Sequence, residues 1–418
     1  MLEDKNYYHN SFQNKLFYIY NLTFLFLVFF GVMFSPQISF WACVFLLTGV
    51  FSRVTFLRKT IFIIAVFAIL YTAVSREIGV SRFDDLIGTY MPILNSQKKY
   101  GTFEASGLGI EVGLVVYLNT LMTFFSINDT RMLLFVCVCF TLFFYTVWVF
   151  FFYEKEFDSK EKGIALAVLL AFIQIGLLAQ TLRQEMATPL LLMAIFSWDK
   201  RRIASLIILG VAVFIHSSSL VLFLFYILFP SLRLWGKISI FVGMFIFSFC
   251  ISVFPGLVIN FFNAIYLPFF AKKIQYYLNT NNSSIMDALS AGKFYLIIIF
   301  IMIANNLFLK REVLNFNEFT KKIYDFCLWG SICNLTFVTL PNASRFFLVI
   351  PGFLIYYVFL PVSKRYPLQF KFFIILFALI SLFVPQRLFG GGTEGFQLWN
   401  AYDWIELNPF YYITDALN

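Results

Sequence analysis

Two polar side chains, Arg183 and His216, interrupt a long apolar stretch on either side of a polar turn at Asp199–Arg202. Arg183 precedes Lys200 by about as many residues as His216 follows it. At a helical rise of about 1.5 Å per residue, an antiparallel hairpin would carry both side chains roughly 25 Å from the turn. A guanidinium binds phosphate or carboxylate through paired hydrogen bonds, and an imidazole transfers protons near neutral pH. The spacing predicts an anion-binding site with a proton carrier at one end of the hairpin.

A second group of polar residues follows an earlier apolar run and contains three carboxylates. Asp84 and Asp85 lie shortly before Tyr90, and Glu111 comes later in the same polar segment. A carboxylate beside a membrane suits the removal of a proton from a hydroxyl group. We expect Asp85 or Asp84 to be the catalytic base, with Glu111 as the second choice. The alternative for the Asp pair is a helix cap and a local ion pair with Arg82.

The composition requires a membrane-embedded, all-helical protein. Of the 418 residues, 61% are hydrophobic and only 13% are charged, which no soluble domain of this size approaches. The apolar runs predict an all-α polytopic integral membrane protein with about thirteen transmembrane helices in one domain spanning 1–418. The predicted spans are 16–34, 38–51, 61–75, 131–152, 163–181, 184–198, 203–215, 217–230, 238–254, 293–309, 323–340, 346–361 and 371–385.

The distribution of charge orients these spans with the N-terminus inside. Most of the 31 Lys and Arg residues, including those of the turn at 200–202, then fall on inner segments, as the positive-inside rule requires. Residues 108–125 are expected to form an outer surface helix, because Glu111, Asn119 and Thr123 are separated by multiples of four residues and form one polar stripe. The longer outer segments are 76–130, 255–292 and the tail at 386–418.

Several arginines are predicted on the outer side, against the positive-inside rule, and arginine is the residue that binds phosphate through two parallel hydrogen bonds. Arg183 and Gln184 open a helix whose N-terminal N–H groups favour an anion, so a phosphate or pyrophosphate fits there. The other arginines expected to bind this group are Arg76, Arg82 and Arg345, together with Tyr90. Snorkelling to lipid headgroups is the alternative for Arg183, and an interhelical hydrogen bond is the alternative for His216.

Several classes of function are excluded or disfavoured. The chain has no phosphate-binding glycine loop, and its inner loops are too short for a nucleotide-binding domain, so we expect no nucleotide cofactor. The net charge of +9 is dispersed over membrane flanks and does not indicate nucleic-acid binding. All six cysteines lie in apolar runs, so we expect small buried hydrophobes and neither disulfides nor a metal site.

The block around the hairpin resembles the EpsG-like branch of the Wzy-type (O-antigen and capsular) polysaccharide polymerases. That family has an Arg-Gln-x-x-Ala-like helix start, which reads Arg183–Ala187 here, and a Phe-His-x-Ser/Ala element one hairpin later. Here Phe214 stands two residues before His216. The family has an outer acidic residue, a Tyr soon after it and a Glu further on, and these match Asp84 or Asp85, Tyr90 and Glu111 loosely. The family's late Arg matches Arg345.

The resemblance implies a metal-independent glycosyltransferase with a fold like that of the GT-C class. Such an enzyme joins undecaprenyl-pyrophosphate-linked oligosaccharide repeat units at the outer (periplasmic) face of the bacterial cytoplasmic membrane. It needs no cofactor; membrane lipid surrounds it, and its expected partners are a flippase and a chain-length regulator. Two other classes stay open. A flippase or transporter predicts midplane charges and an internal repeat, and a membrane O-acyltransferase would also use a histidine.

Overall fold

The computed structural model describes residues 25–79, 84–100, 111–279, 285–309, 316–337 and 346–383, with residues 23 and 314. Within these ranges the chain is helical and contains no strand. The first helices are α1 Leu25–Phe34, α2 Pro36–Thr48, α3 Thr55–Val74, α4 Met91–Tyr100, α5 Gly113–Phe124, α6 Thr130–Phe151, α7 Lys162–Ala171, α8 Ile175–Gln180 and α9 Leu182–Ser197. The later helices are α10 Arg202–Ile215, α11 Ser218–Ser231, α12 Leu234–Val253, α13 Pro255–Ala264, α14 Pro268–Asn279, α15 Ile285–Phe308, α16 Glu318–Leu335, α17 Ile355–Arg365 and α18 Pro367–Phe383.

Short polar residues mark where several of these helices begin. The Ser35 hydroxyl accepts a hydrogen bond from the Ile38 N–H, and Pro36 occupies the first position of α2. The carboxylate of Asp129 accepts from the Met132 N–H at 2.7 Å at the start of α6. Such side chains satisfy backbone donors that have no partner inside the helix, and proline is preorganised for the first turn.

Most of the predicted spans coincide, within the described residues, with helices of the structure, but the number of membrane crossings stays a prediction. Three helical stretches are long and apolar enough by themselves to cross a membrane, namely Thr55–Val74, Thr130–Glu156 and Leu234–Val253. Only 11% of the apolar window of the last one is buried against protein. A helix with apolar residues on nearly all sides and so little protein cover fits a membrane-embedded protein.

The predicted span at 163–181 is wrong as a single helix. The backbone leaves helical geometry at Gln174, where φ is −100° and ψ is 88°, and the chain resumes as the short helix α8. The last carbonyls of a helix have no partner within it. One of them, the Ala179 carbonyl, accepts a hydrogen bond from Arg76 Nε at 3.0 Å. The end of α8 therefore supplies a backbone acceptor for Arg76.

Helices α9 and α10 form the antiparallel hairpin that the turn at Asp199–Arg202 predicts. They pack along each other, and the Ser205 hydroxyl donates to the Ala194 carbonyl at 2.7 Å near the turn. Helix α9 also packs on α6, and α10 contacts α5. The hairpin therefore packs on α6 through α9 and on α5 through α10.

The opposite end of the bundle carries ion pairs between neighbouring loops and helix ends. Lys322 on α16 lies 3.0 Å from Asp199 in the hairpin turn. The other pairs there are Arg58 with Glu154, Lys200 with Glu156, Lys237 with Asp325, and Lys364 with Glu161. Each joins residues far apart in the chain, so the basic residues of this end also fasten helix ends together.

Candidate active site

Arg183 lies in the first turn of α9, where its guanidinium meets two carboxylates and an aromatic ring. Nη1 donates to Glu111 Oε2 at 2.9 Å, and Nε lies 4.0 Å from Asp85 Oδ2. Its Cζ is 5.6 Å from the centre of the Tyr90 ring, within the range of a cation–π contact. The Arg183 side chain is 19% exposed. These contacts hold a partly accessible guanidinium in one orientation.

Glu111 joins the two polar side chains of the hairpin. Its carboxylate is fully buried, with Oε2 bound to Arg183 and Oε1 accepting from the Ser217 N–H at 3.0 Å and from the Ser217 hydroxyl. His216 Nδ1 lies 3.2 Å from the same Oε1, without hydrogen-bond geometry. The Ser217 N–H belongs to the start of α11, where unpaired donors and the helix dipole favour a negative charge. These donors compensate the cost of burying the carboxylate.

The close approach of Glu111 to the α10–α11 junction depends on a glycine. Gly113 opens α5 so near to Phe214 that a Cβ at this position would lie 2.9 Å from the Phe214 carbonyl oxygen. No side chain fits at that distance without backbone movement. The absence of a side chain at Gly113 therefore allows the segment before α5 to reach His216 and Ser217.

Tyr90 and Asp85 form the other wall of the site. Tyr90 ends a π-helical turn at Leu86–Tyr90 and is fully buried, and its hydroxyl has no hydrogen-bond partner among the residues that the structure describes. Burial raises the pKa of Tyr90 well above its usual range, and the nearby Arg183 opposes this shift. The Asp85 side chain is 22% exposed. Asp85 is therefore a carboxylate that solvent reaches beside a fixed guanidinium.

The adjacent Asp84 has a different environment. It is buried and forms a bidentate ion pair with the fully buried Arg76, at 2.7 Å from Nη1 and 2.9 Å from Nη2. The same carboxylate accepts from the Leu86 N–H at 3.1 Å. Arg76 also donates to the carbonyls of Glu77 and Ala179. This pair fastens the end of α3 and helix α8 to the turn that carries Tyr90.

Asp84→Asn is expected to destabilise the protein by about 3–5 kcal/mol, because it leaves the Arg76 guanidinium buried without its counter-charge. Thermal unfolding of the detergent-solubilised protein would measure the loss. Asp85→Asn is the matched control, since it changes the neighbouring, partly exposed carboxylate in the same way. A midpoint for Asp84→Asn equal to that of Asp85→Asn would contradict a fastening role for the pair.

The structure brings together five of the residues that the sequence singled out: Asp85, Tyr90, Glu111, Arg183 and His216. Gln184 follows Arg183 in the same helical turn. Arg76 and Asp84 lie behind this group and bind each other. Arg82 and Arg345 lie outside the described residues. The prediction that Glu111 belongs to the polar face of a surface helix is wrong, because α5 begins at Gly113 and Glu111 precedes it as a buried residue.

Sequence reasoning missed three residues that build the site. Ser217 supplies two donors to Glu111, and Gly113 permits their approach. Arg131 donates to the carbonyls of Val74 and Arg76 and so completes the end of α3. The position of Ser217 directly after His216 was the available signal. Arg131 is one of the arginines that the charge distribution predicts on the outer side, and this was its signal, whereas nothing in the local sequence distinguishes Gly113 from an ordinary glycine.

The fold and the site define a class: an all-helical membrane protein in which an arginine and a histidine from one hairpin meet a buried glutamate. The chain belongs to the EpsG family, whose family model matches residues 59–391. Membership indicates a role like that of a polysaccharide polymerase, that is, a glycosyltransferase-like membrane protein of polysaccharide biosynthesis. The match includes every residue of the site described above. No curated protein and no solved structure matches the chain.

Proposed function

We propose that the protein joins lipid-linked oligosaccharide repeat units by glycosyl transfer at the outer face of the bacterial cytoplasmic membrane. The donor is a growing glycan on undecaprenyl pyrophosphate, and the acceptor is one lipid-linked unit. The single observation that carries this proposal is the geometry of Arg183, a partly exposed guanidinium held by Glu111 and Tyr90 beside the accessible carboxylate of Asp85. Family membership supplies the reaction class.

The proposed step needs a base for the acceptor and a cation for the leaving group. Asp85 accepts the proton of the acceptor hydroxyl, while the oxygen of that hydroxyl forms a bond to the anomeric carbon of the donor. The bond from that carbon to the pyrophosphate oxygen breaks, and the electron pair leaves with the pyrophosphate. Arg183 neutralises the charge that develops on this group, so the transition state meets a cation already in place. The proposal assigns the neutralisation of the leaving group to protein side chains, with Arg183 among them, and includes no metal ion.

Among the three carboxylates, accessibility favours Asp85 as the base, because its side chain is 22% exposed whereas those of Asp84 and Glu111 are 1% and 0% exposed. A carboxylate accepts at about four positions, and those of Glu111 receive Arg183, both donors of Ser217 and the approach of His216. Asp84 is fully engaged by Arg76 and the Leu86 N–H. We therefore assign Glu111 to positioning Arg183 and His216, and Asp84 with Arg76 to supporting the Tyr90 turn.

A pyrophosphate carries more negative charge than one guanidinium neutralises, and the described site also contains the carboxylates of Asp85 and Glu111. The proposal therefore assigns further positive charge to Arg82 and Arg345, which lie outside the described residues. His216 adds a proton donor beside Arg183. Gln184 and the Tyr90 hydroxyl are proposed to bind phosphate or sugar oxygens. The Tyr90 hydroxyl has no hydrogen-bond partner among the described residues.

Reconstitution with a single lipid-linked repeat unit tests the proposal. Purified protein in liposomes should convert the unit into a ladder of longer glycans and release undecaprenyl pyrophosphate. Movement of the unit across the bilayer without a ladder would indicate a flippase. Transfer of an acyl group to the unit, dependent on an added acyl donor and without a ladder, would indicate an O-acyltransferase. Either result would reject the polymerase proposal.

The outer location of the site predicts a pattern of cysteine labelling. Asn128→Cys, on the exposed segment before α6, is expected to react with a membrane-impermeant thiol reagent on intact cells. Lys200→Cys, at the opposite end of the bundle, is expected to react only after the cells are permeabilised. The native cysteines are buried or half-buried, so the unsubstituted protein gives the background. Labelling of Lys200→Cys on intact cells would reverse the proposed orientation.

Arg183 and His216 are expected to act as one unit, because both meet the carboxylate of Glu111. Polymerisation rates should be compared for Arg183→Ala, His216→Ala and the double variant at equal protein level. We expect the double variant to be about as slow as the slower single variant, since residues that act together give non-additive losses. A double variant whose loss equals the product of the two single losses would show that the residues serve separate sites.

A further inference from the structure

A cavity of about 450 Å³ lies at the end of the hairpin opposite to Arg183. One side of it is formed at and just after the end of α6, by Phe151, Phe152, Lys155 and Glu156. The end of α9 and the start of α10 form the other side. The volume falls within the range of small-molecule sites in proteins, about 300–1,000 Å³. The cavity therefore has room for part of an elongated ligand.

The lining of this cavity is apolar inside and basic at its mouth. Phe152, Phe196 and Ile208 contribute apolar walls, while Lys155, Lys200 and Arg201 contribute cations. Glu156 is the one carboxylate among the lining residues. Such a lining matches a molecule with a hydrocarbon chain and a negatively charged head.

The neighbouring carboxylates neutralise these cations only in part, since the lining contains three basic residues and one carboxylate. Asp199, which lies next to Lys200 in the turn, is bound by Lys322 on α16 at 3.0 Å. Lys200 is 78% exposed and lies 3.8 Å from Glu156, which is beyond hydrogen-bond distance. Arg201 is exposed and precedes α10 without capping it. The mouth of the cavity therefore keeps an excess of positive charge.

One side of the cavity adjoins a strongly apolar surface. Ile203 is 77% and Ile207 is 65% exposed on α10, and each directly precedes a cavity residue, Ala204 or Ile208. In a membrane protein such residues face lipid chains. A lipid molecule could then enter from the side, with its chain along α10 and its head at the polar turn.

We propose that this cavity binds an anionic phospholipid of the inner leaflet, with one acyl chain between α6 and α10 and the phosphate at Lys200 and Arg201. Basic pockets between helices on the cytoplasmic side are suited to anionic headgroups. Inorganic phosphate offers the same head chemistry but leaves the apolar walls unfilled. Binding here is independent of the proposed polymerisation, because the cavity and Arg183 lie at opposite ends of α9.

Native mass spectrometry of the purified full-length protein measures the binding, with phosphatidylglycerol, phosphatidylcholine and inorganic phosphate as separate probes. We expect phosphatidylglycerol to bind more tightly than phosphatidylcholine and to raise the thermal midpoint, and inorganic phosphate to do neither. Lys200→Gln with Arg201→Gln should weaken phosphatidylglycerol binding by about tenfold or more, as the loss of a charge-assisted hydrogen bond implies.

Two matched controls separate a specific site from general attraction. Arg233→Gln with Lys321→Gln removes two exposed charges from the same end of the bundle and should leave binding unchanged. Ala204→Phe fills the cavity without a change of charge and should abolish the preference for phosphatidylglycerol, whereas Ala204→Ser should retain it. Three results would overturn the proposal. The first is an equal loss of phosphatidylglycerol binding from the two double variants, the second is unchanged binding to Ala204→Phe, and the third is equal binding of phosphatidylglycerol and phosphatidylcholine.

Discussion

Arg183→Lys is expected to lower the polymerisation rate by about 10²–10³-fold at wild-type protein level. Removal of one hydrogen-bond donor that is already in place for the negative charge of the transition state usually has an effect of this size. Lysine keeps the positive charge but loses the planar fork of donors. In this site the fork matters, because Nη1 binds Glu111, Nε faces Asp85 and the guanidinium plane lies by the Tyr90 ring. An ammonium group cannot make these contacts while it also binds a pyrophosphate.

Glycan ladders from cells and initial rates with the purified protein would both show this loss. Arg233→Lys is the matched control, since Arg233 is an exposed arginine at the opposite end of the bundle and its replacement should leave the rate unchanged. Arg183→Ala is expected to be at least as slow as Arg183→Lys. Full-length ladders from Arg183→Lys would show that a point charge is sufficient and that bidentate binding of pyrophosphate is wrong.

Asp85→Asn is expected to lower kcat by about 10²–10⁴-fold, the usual contribution of a general base. Asparagine keeps the shape of the side chain but cannot take the acceptor proton. Because Asp85 is partly exposed, its replacement should leave the thermal midpoint and the binding of the acceptor nearly unchanged. The comparison of kcat with KM therefore separates loss of the base from loss of the site.

Asp85→Glu tests the same role from the other direction, because it restores a carboxylate on a longer side chain. We expect it to retain more activity than Asp85→Asn. Asp158→Asn, an exposed aspartate at the opposite end of the bundle, is the control for the substitution itself. Wild-type polymer from Asp85→Asn would place the base elsewhere, and Glu111→Gln and His216→Ala would then identify which of the remaining two groups takes the proton.

The sequence was sufficient to predict most of the helices and the hairpin of the site, although not the break within 163–181. Apolar runs bounded by polar turns predict helices whatever the tertiary arrangement, because a chain in an apolar environment must satisfy its backbone hydrogen bonds internally. The turn at Asp199–Arg202 and the helical rise then place Arg183 and His216 at the same end. This prediction rests on local geometry alone, and the structure brings both residues to one carboxylate.

The roles of the three carboxylates depended on contacts between distant parts of the chain. Asp84 and Asp85 are chemically equal neighbours in the sequence, and only the fold buries one against Arg76 and leaves the other near Arg183. The stripe of Glu111, Asn119 and Thr123 suggested one helical face. The helix begins after Glu111, however, because the donors of Ser217 and Arg183 hold that carboxylate outside α5.

The sequence by itself therefore determined the helical membrane class, the hairpin and the identity of its two polar residues, since all three follow from hydropathy and helical periodicity. Only the tertiary structure decided which carboxylate is buried, which is accessible, and that Ser217 and Gly113 belong to the site. The physical reason is that burial and hydrogen bonding of a carboxylate depend on donors supplied by other helices. For Glu111 these donors come from residues 72 and 106 positions away in the chain.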